Sequence, residues 1–282
     1  MPFEVFQAQA SSILSATTGF IAEAGFTHSL TPARNCTFGC SYCYVPTMRI
    51  YGGLTQEDWR HWGQFTTFKR NAPELLRRQL RRNQVIYCSP LVDPYQPAEE
   101  YEQLMPLVLD ELLRQPPNIF VIQTRSPLIV RDLSPLVELS HRITLRVSFS
   151  LTTNREDVRK LYEPHCATIA CRLRAIRQLR QAGIATFATL APILPCDPEQ
   201  LAAMALDATV EDIIGDPLHI RALKPRGATT REAAFAISQK HGYAAWLDAG
   251  FQREVVERIG STVRRAGRLF ATGTEGFGWL AQ

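Results

Sequence analysis

The sequence predicts an α/β fold: a partial (β/α)6 TIM-like barrel with a mostly helical C-terminal extension. Three observations predict it. Apolar runs of strand length alternate with helical patterns from residue 26 onward, and such alternation implies a parallel sheet covered by its crossover helices. Six of these units fit a partial or complete barrel better than a two-layer sandwich. Polar clusters also fall just after the strands, at 35–44, 89–96, 124–132, 148–154 and 192–197, where barrels gather their functional groups.

The elements follow in order. FTHSLTP (26–32) reads as the first strand, PELLRRQLRR (73–82) as a helix, and QVIYCSP (84–90) as the second strand. YEQLMPLVLDELLR (101–114) is helical with a proline near its first turns. NIFVIQT (118–124) is a strand, LSPLVELS (133–140) a short helix and ITLRVSFSL (143–151) a strand. CRLRAIRQLRQAG (171–183) is an amphipathic helix stopped by Gly183, a residue suited to helix C-termini. IATFATLAPI (184–193) is a strand, PEQLAAMALDA (198–208) a helix, and VEDIIG or LHIRAL begins a sixth strand. The chain thus divides into an N-terminal segment (1–25), the barrel (26–223) and an Arg-rich helical extension packed on it (224–282).

Composition bounds the function. The 282 residues are 45% hydrophobic and 21% charged, ordinary for a globular chain. No run approaches the roughly 18 to 20 apolar residues of a membrane span. The start, MPFEVFQAQASSIL, lacks the basic and apolar parts of a signal peptide, so the expected compartment is the cytoplasm, with no membrane partner. Net charge is +4 and lysine is confined to Lys69, Lys160, Lys224 and Lys240. A balance this mild permits nucleic-acid binding without arguing for it. Arg77, Arg78, Arg81 and Arg82 form a basic helix face that either meets phosphate or is solvated.

Three of the seven cysteines, Cys36, Cys40 and Cys43, crowd into NCTFGCSYCY (35–44). In a cytosolic chain this pattern points to metal rather than disulfides. CxxxCxxC supplies three thiolates to a [4Fe–4S] cube and leaves one iron open to a small molecule. A structural zinc is the alternative, with His28 as the fourth ligand a closed tetrahedron needs. Chance clustering is a third. The motif's place after the first strand of a βα series favours the cluster.

The run from Cys36 to Cys43, with aromatic Tyr42 before the last cysteine, resembles the motif of the radical S-adenosylmethionine (SAM) superfamily. One branch, the spore photoproduct lyase-like proteins often labelled DNA repair photolyase, is similar at CSYCYVP (40–46), VDPYQPAE (92–99), QTRSPLIVRD (123–132), VSFSLTT (147–153), YEP (162–164), RLRAIRQLRQAGI (172–184) and APILP (191–195). The resemblance implies a barrel of the radical SAM type, with a cluster on Cys36, Cys40 and Cys43 whose open iron binds SAM. Reductive cleavage of SAM would then give a 5′-deoxyadenosyl radical that abstracts hydrogen.

The resemblance also implies roles elsewhere. Asp93 corresponds to the contact for the SAM amino group, although Asp-Pro is also ordinary turn chemistry. Arg125 stands where the family usually has lysine and would pair with the SAM carboxylate. Arg172 matches an arginine that contacts SAM or forms a salt bridge, and Ile193 an apolar strand end flanking adenine. Tyr42 is grouped with these cofactor-binding residues. Ser148 and Ser150 share one strand face, placing hydroxyls for SAM or simply lining the barrel.

Candidate catalytic residues are Cys88, near the position of a hydrogen-donating cysteine in the lyase but offset by about two residues, and Tyr44 and Tyr95 as radical relays. His165 and Cys166 depart from the family pattern. The expectation is therefore an enzyme served by an electron donor such as flavodoxin or ferredoxin. Its substrate is a nucleic-acid base or, alternatively, a small molecule or peptide. A non-enzymatic iron–sulfur or zinc protein is the competing class.

Overall fold

A computed structural model describes residues 3–48, 60–225 and 229–282. The strands are β1 (Glu4–Ala8), β2 (Leu14–Ala16), β3 (His28–Leu30), β4 (Ala33–Arg34), β5 (Phe65–Lys69), β6 (Val85–Cys88), β7 (Ile119–Thr124), β8 (Thr144–Ser150), β9 (Ala185–Ile193), β10 (Ile213–Pro217) and β11 (Phe270–Thr272). The main sheet runs β2-β3-β6-β7-β8-β9-β10-β11. Every neighbouring pair in it is parallel except the antiparallel β2–β3 edge. Each new parallel strand is added on the same side of the last, the winding from which barrels are built.

The pleat divides the sheet into two chemistries. One face carries Ile86, Cys88, Phe120, Ile122, Leu145, Val147 and Phe149 into the main core with the helices Ala72–Gln79, Leu104–Arg114, Leu133–Ser140 and Ile169–Gln181. The other face begins apolar, with Tyr87, Val121, Phe187 and Ile214 packed on Phe26 and closed by Phe277 and Leu280. Two residues further along each strand, that same face turns polar at Ser89, Gln123, Ser148 and Thr189. The apolar plug therefore seals one end, and the polar layer opens toward the C-terminal strand ends.

Several elements differ from expectation. The sixth strand is Ile213–Pro217, from the first of the two segments considered. The 101–114 helix is broken. Glu99–Glu102 ends at Gln103, whose φ of 49° is left-handed, and Leu104–Arg114 starts anew. Buried Glu99 explains the break, because its carboxylate accepts from the backbone of Leu104 (3.1 Å) and Met105 (2.8 Å), capping the second helix from within. A helix at Glu156–Tyr162 and a strand, β11, in the C-terminal part were not foreseen. Nor was a small second sheet, β1-β5-β4. The expected basic helix face does not form, because the helix ends at Gln79 with Leu80 extended, leaving Arg81 and Arg82 beyond it; Arg77 pairs with Glu111 at 2.7 Å, and Arg81 donates to the carbonyls of Arg78 and Leu80.

Candidate active site

The cysteine loop leaves the small sheet directly from β4 and is fastened at each turn. Asn35, at φ 62°, accepts through Oδ1 from the backbone of Cys36 (2.7 Å) and Gly63 (3.3 Å). Gln96 Oε1 accepts from the Thr37 backbone (2.8 Å) and hydroxyl (3.1 Å). Further on, the Ser41 backbone donates to the Tyr162 carbonyl at 2.9 Å. Gly39 lies against Gly63 so closely that a Cβ on Gly63 would fall 2.6 Å from the Gly39 Cα. No side chain fits between them, and Gly63 also has a φ of +95°.

All three motif thiols line one cavity of about 660 Å³ at the C-terminal strand ends, together with Tyr42, Tyr44, Asp93, Gln123, Arg125 and Ser150. Its size suits a small-molecule cofactor with room beside it. Burial pushes the Cys36 thiol up, and pushes Cys43 to about 12, with the neighbouring Cys40 charge adding to both. A metal ion that replaces the proton would remove that penalty. Three converging, desolvated thiols with no fourth in the loop are a donor set that fits a [4Fe–4S] cluster with one open iron. His28, the zinc alternative's fourth ligand, sits at the opposite end of β3, bonded to Thr27 (2.9 Å) and near Gln84 (3.4 Å).

Behind the thiols lies a buried charge hub. Glu163, fully buried, accepts through Oε1 from Arg125 Nη1 (2.7 Å), Thr152 (3.0 Å) and the Tyr42 hydroxyl. Its Oε2 accepts from Arg172. Arg125 also donates to the Tyr42 hydroxyl and stands 5.6 Å from that ring's centre. Burial alone would raise the Glu163 carboxyl, but Arg172 and Arg125 outweigh it and bring it down to about 2. Arg172 thus takes the salt-bridge alternative offered by its family position. Cys166 Sγ lies 3.9 Å from Cys40 Sγ. Among the described residues Cys40, Glu163 and Cys166 have donor atoms within 4.8 Å of one another. Glu163 is already bonded by its two arginines and is not free to ligate, which leaves Cys166 as a second thiol beside Cys40.

Asp93 ties two strand ends together. Its carboxylate accepts from the Thr124 hydroxyl (2.7 Å) and the backbones of Arg125 (2.8 Å) and Tyr95 (2.9 Å). Burial nonetheless raises its pKa. The cavity floor is a hydrogen-bonded layer centred on Gln123. Its Oε1 accepts from Tyr87 (2.7 Å) and Ser148 (2.6 Å), and its Nε2 donates to Ser150 (2.8 Å). Ser148 further meets Thr189 at 2.6 Å.

Of the candidates from sequence, Cys36, Cys40, Cys43, Tyr42, Tyr44, Asp93, Arg125 and Ser150 line the cavity. Ser148 lies just beneath, and Arg172 acts through Glu163. Ile193 is buried beside lining residues Ala191 and Pro192. Cys88 and Tyr95 are fully buried and outside the lining; Cys88 faces the helices, whereas its neighbours Tyr87 and Ser89 face the cavity. Glu163 and Gln123 were not singled out, although both fall inside segments that carry the family resemblance. The lining also includes Asp216, His219 and Lys224, which the sequence gave no reason to combine.

A (β/α) sheet with a CxxxCxxC loop over the C-terminal strand ends defines a radical SAM protein, and comparison agrees. The model of the Radical SAM superfamily matches residues 30–207, more than half of the chain, so the protein belongs to that superfamily. Membership implies an enzyme that uses a [4Fe–4S] cluster and SAM.

Among curated proteins, the chain is 28% identical over 217 residues to ORF301 of Acidianus two-tailed virus, covering 69% of this chain and 68% of that protein. It is 27% identical over 174 residues to Rv2578c of Mycobacterium tuberculosis strain H37Rv, covering 60% of this chain and 50% of that protein. Among solved structures it is similar to a spore photoproduct lyase mutant, with TM-score 0.60 and 14% identity, covering 93% of this chain and 78% of that one. It is also similar to spore photoproduct lyase complexed with dinucleoside spore photoproduct, with TM-score 0.56 and 14% identity, covering 84% and 66%. At these identities the structural likeness speaks for the fold. Among the described residues no helix is long and apolar enough to cross a membrane.

Proposed function

We propose that Cys36, Cys40 and Cys43 hold the cluster, and that the enzyme removes a hydrogen atom from a substrate seated in the same cavity. The observation that carries this is the convergence of the three thiols with Asp93, Arg125 and Ser150 on one 660 Å³ space. When bound, the cluster supplies the electron that splits SAM into methionine and a 5′-deoxyadenosyl radical.

The chain's own residues bind and orient. Asp93 has spent three of its roughly four lone-pair sites on protein donors, which leaves an acceptor for the SAM ammonium. Arg125 is held in place by Glu163 and Tyr42, so a SAM carboxylate would meet a fixed cation. Ser150 presents a hydroxyl at the floor, backed by Gln123 and Ser148. Ile193 lies behind the lining, so Ala191 and Pro192 beside it would give the apolar edge for adenine. A merely structural cluster or an electron carrier would have no use for these groups.

Tyr44 is the stronger candidate for a radical relay, because it lines the cavity while Cys88 and Tyr95 do not. A nucleic-acid base is the substrate class we favour, supported by the spore photoproduct lyase complexes, one of which holds AdoMet and dinucleoside spore photoproduct. A flavodoxin- or ferredoxin-like donor would supply electrons. The substrate test is anaerobic incubation of reconstituted protein with SAM and damaged thymine dinucleotides, oligonucleotides or peptides, following 5′-deoxyadenosine. Stimulation by the nucleic acids supports the base reading; stimulation only by peptides replaces it.

A further inference from the structure

The wall of the cavity formed by β10 and the loop after it carries a chain of three side chains. Asp216 Oδ2 lies 2.7 Å from His219 Nε2, and His219 Nδ1 lies 3.4 Å from Lys224 Nζ. The contacts are consistent with one tautomer. A carboxylate on Nε2 keeps the proton there, so Nδ1 is left as an acceptor for the lysine. The loop is tied back where it returns, the Thr230 backbone donating to the His219 carbonyl at 2.9 Å. Asp216, His219, Lys224 and Thr230 all line the cavity.

Lys224 differs from Arg125, the other Lys or Arg among the described lining residues. Arg125 is matched by Glu163 at 2.7 Å. Among the described residues no carboxylate lies within salt-bridge distance of Lys224, and its ammonium meets His219 and the Tyr44 ring, whose centre is 5.9 Å from Nζ. An ammonium has three N–H donors, and one is directed at His219. The group is half-buried, and that desolvation lowers its pKa. An anion would both use the spare donors and offset the lost hydration. Tyr44 follows Cys43 directly in the chain, so the ammonium sits on the cluster side of the cavity.

We propose that Lys224, aimed by His219 and Asp216, binds an anionic oxygen of the substrate, a phosphate or a carboxylate, and so fixes the substrate in the cavity that Asp93 and Arg125 also line. This rests on the reading of the cavity as the reaction space and adds a specificity-determining residue to it. A substrate lacking such a group leaves the spare N–H donors without an anion and is disfavoured.

The test uses inorganic phosphate and acetate as probes, titrated by calorimetry into the reconstituted protein with SAM bound and into the protein as purified. The expected result is saturable binding of one or both anions, weakened about tenfold in Lys224→Gln, restored in Lys224→Arg, and weakened less in His219→Asn. Binding of phosphate alone assigns phosphate esters, and binding of acetate alone assigns carboxylates. Three results overturn the proposal: no binding of either anion, equal binding by Lys224→Gln, or a matching loss of SAM affinity in that variant, which would give the lysine to SAM. Melting curves of the variants separate misfolding from lost contact. Failure of the radical reading is seen independently, as absent 5′-deoxyadenosine in the wild-type protein.

Discussion

Arg125 Nη1 stands 2.7 Å from Glu163 Oε1, joining the end of β7 to the C-terminal end of the helix Glu156–Tyr162 beneath the cysteine loop. The carboxylate is 0% exposed and also holds Arg172. Tyr42, one residue before Cys43, bonds to both partners of the pair. The loop that carries the thiols is thus oriented by a buried cation–anion–cation cluster.

Removing the anion should therefore be costly. Glu163→Gln keeps the shape but leaves Arg125 and Arg172 without their counter-charge, and the expected loss is about 3 kcal/mol or more. Urea unfolding of the protein as purified measures it. The native carboxyl titrates near 2 rather than its ordinary 4.5. Its contribution is therefore fully present above about pH 4.5 and disappears as pH falls toward 2. Wild type and Glu163→Gln should converge in stability over that acid window. A gap that stays constant down to pH 2 would contradict this.

The close pass of Gly39 and Gly63 makes a second prediction. Gly63→Ala places a methyl 2.6 Å from the Gly39 Cα at a φ of +95°. The expected cost is about 1–3 kcal/mol or more, together with reduced iron uptake, because the loop must move away. Retention of full iron content and melting temperature would show the two segments to be independent.

Gln123 is expected to matter through geometry. Replacing it with Leu strands the polar groups of Tyr87 and Ser150, each worth about 1–3 kcal/mol when left buried and unsatisfied, while Ser148 keeps Thr189. Calorimetric SAM binding to the reconstituted variant should weaken, since Ser150 loses its support. Unchanged SAM affinity would remove Ser150 from the binding surface.

Tyr44 and Cys88 separate by experiment. Tyr44→Phe should keep the fold while changing how much substrate product forms per 5′-deoxyadenosine. Cys88→Ala should act mainly as a core truncation, lowering the melting temperature by opening space behind β6. The reverse outcome would place the thiol, not the phenol, on the radical path.

The parallel strands were legible because both their faces are covered, giving apolar runs such as IFVIQT that turns punctuate. The thiols were legible because spacing alone constrains them. Glu163 was not, since its partners are 38 and 9 residues away and only the folded chain brings three charges together. The Asp216–His219–Lys224 chain was hidden for a related reason: its residues are near in sequence, but only the turn after β10 aims them inward. β1 is mostly exposed and β11 has three residues, so neither shows the periodicity of a covered strand.

The most direct test of the central claim is iron content and 5′-deoxyadenosine formation, measured without oxygen after reconstitution with iron and sulfide and addition of dithionite and SAM. The wild-type chain should carry about four irons and release the nucleoside. Cys36→Ala, Cys40→Ala and Cys43→Ala should each abolish release, while Cys171→Ala, half-exposed on the Ile169–Gln181 helix, should not. Nucleoside release that persists in Cys40→Ala, or zinc in place of iron in anaerobically prepared protein, would contradict the account.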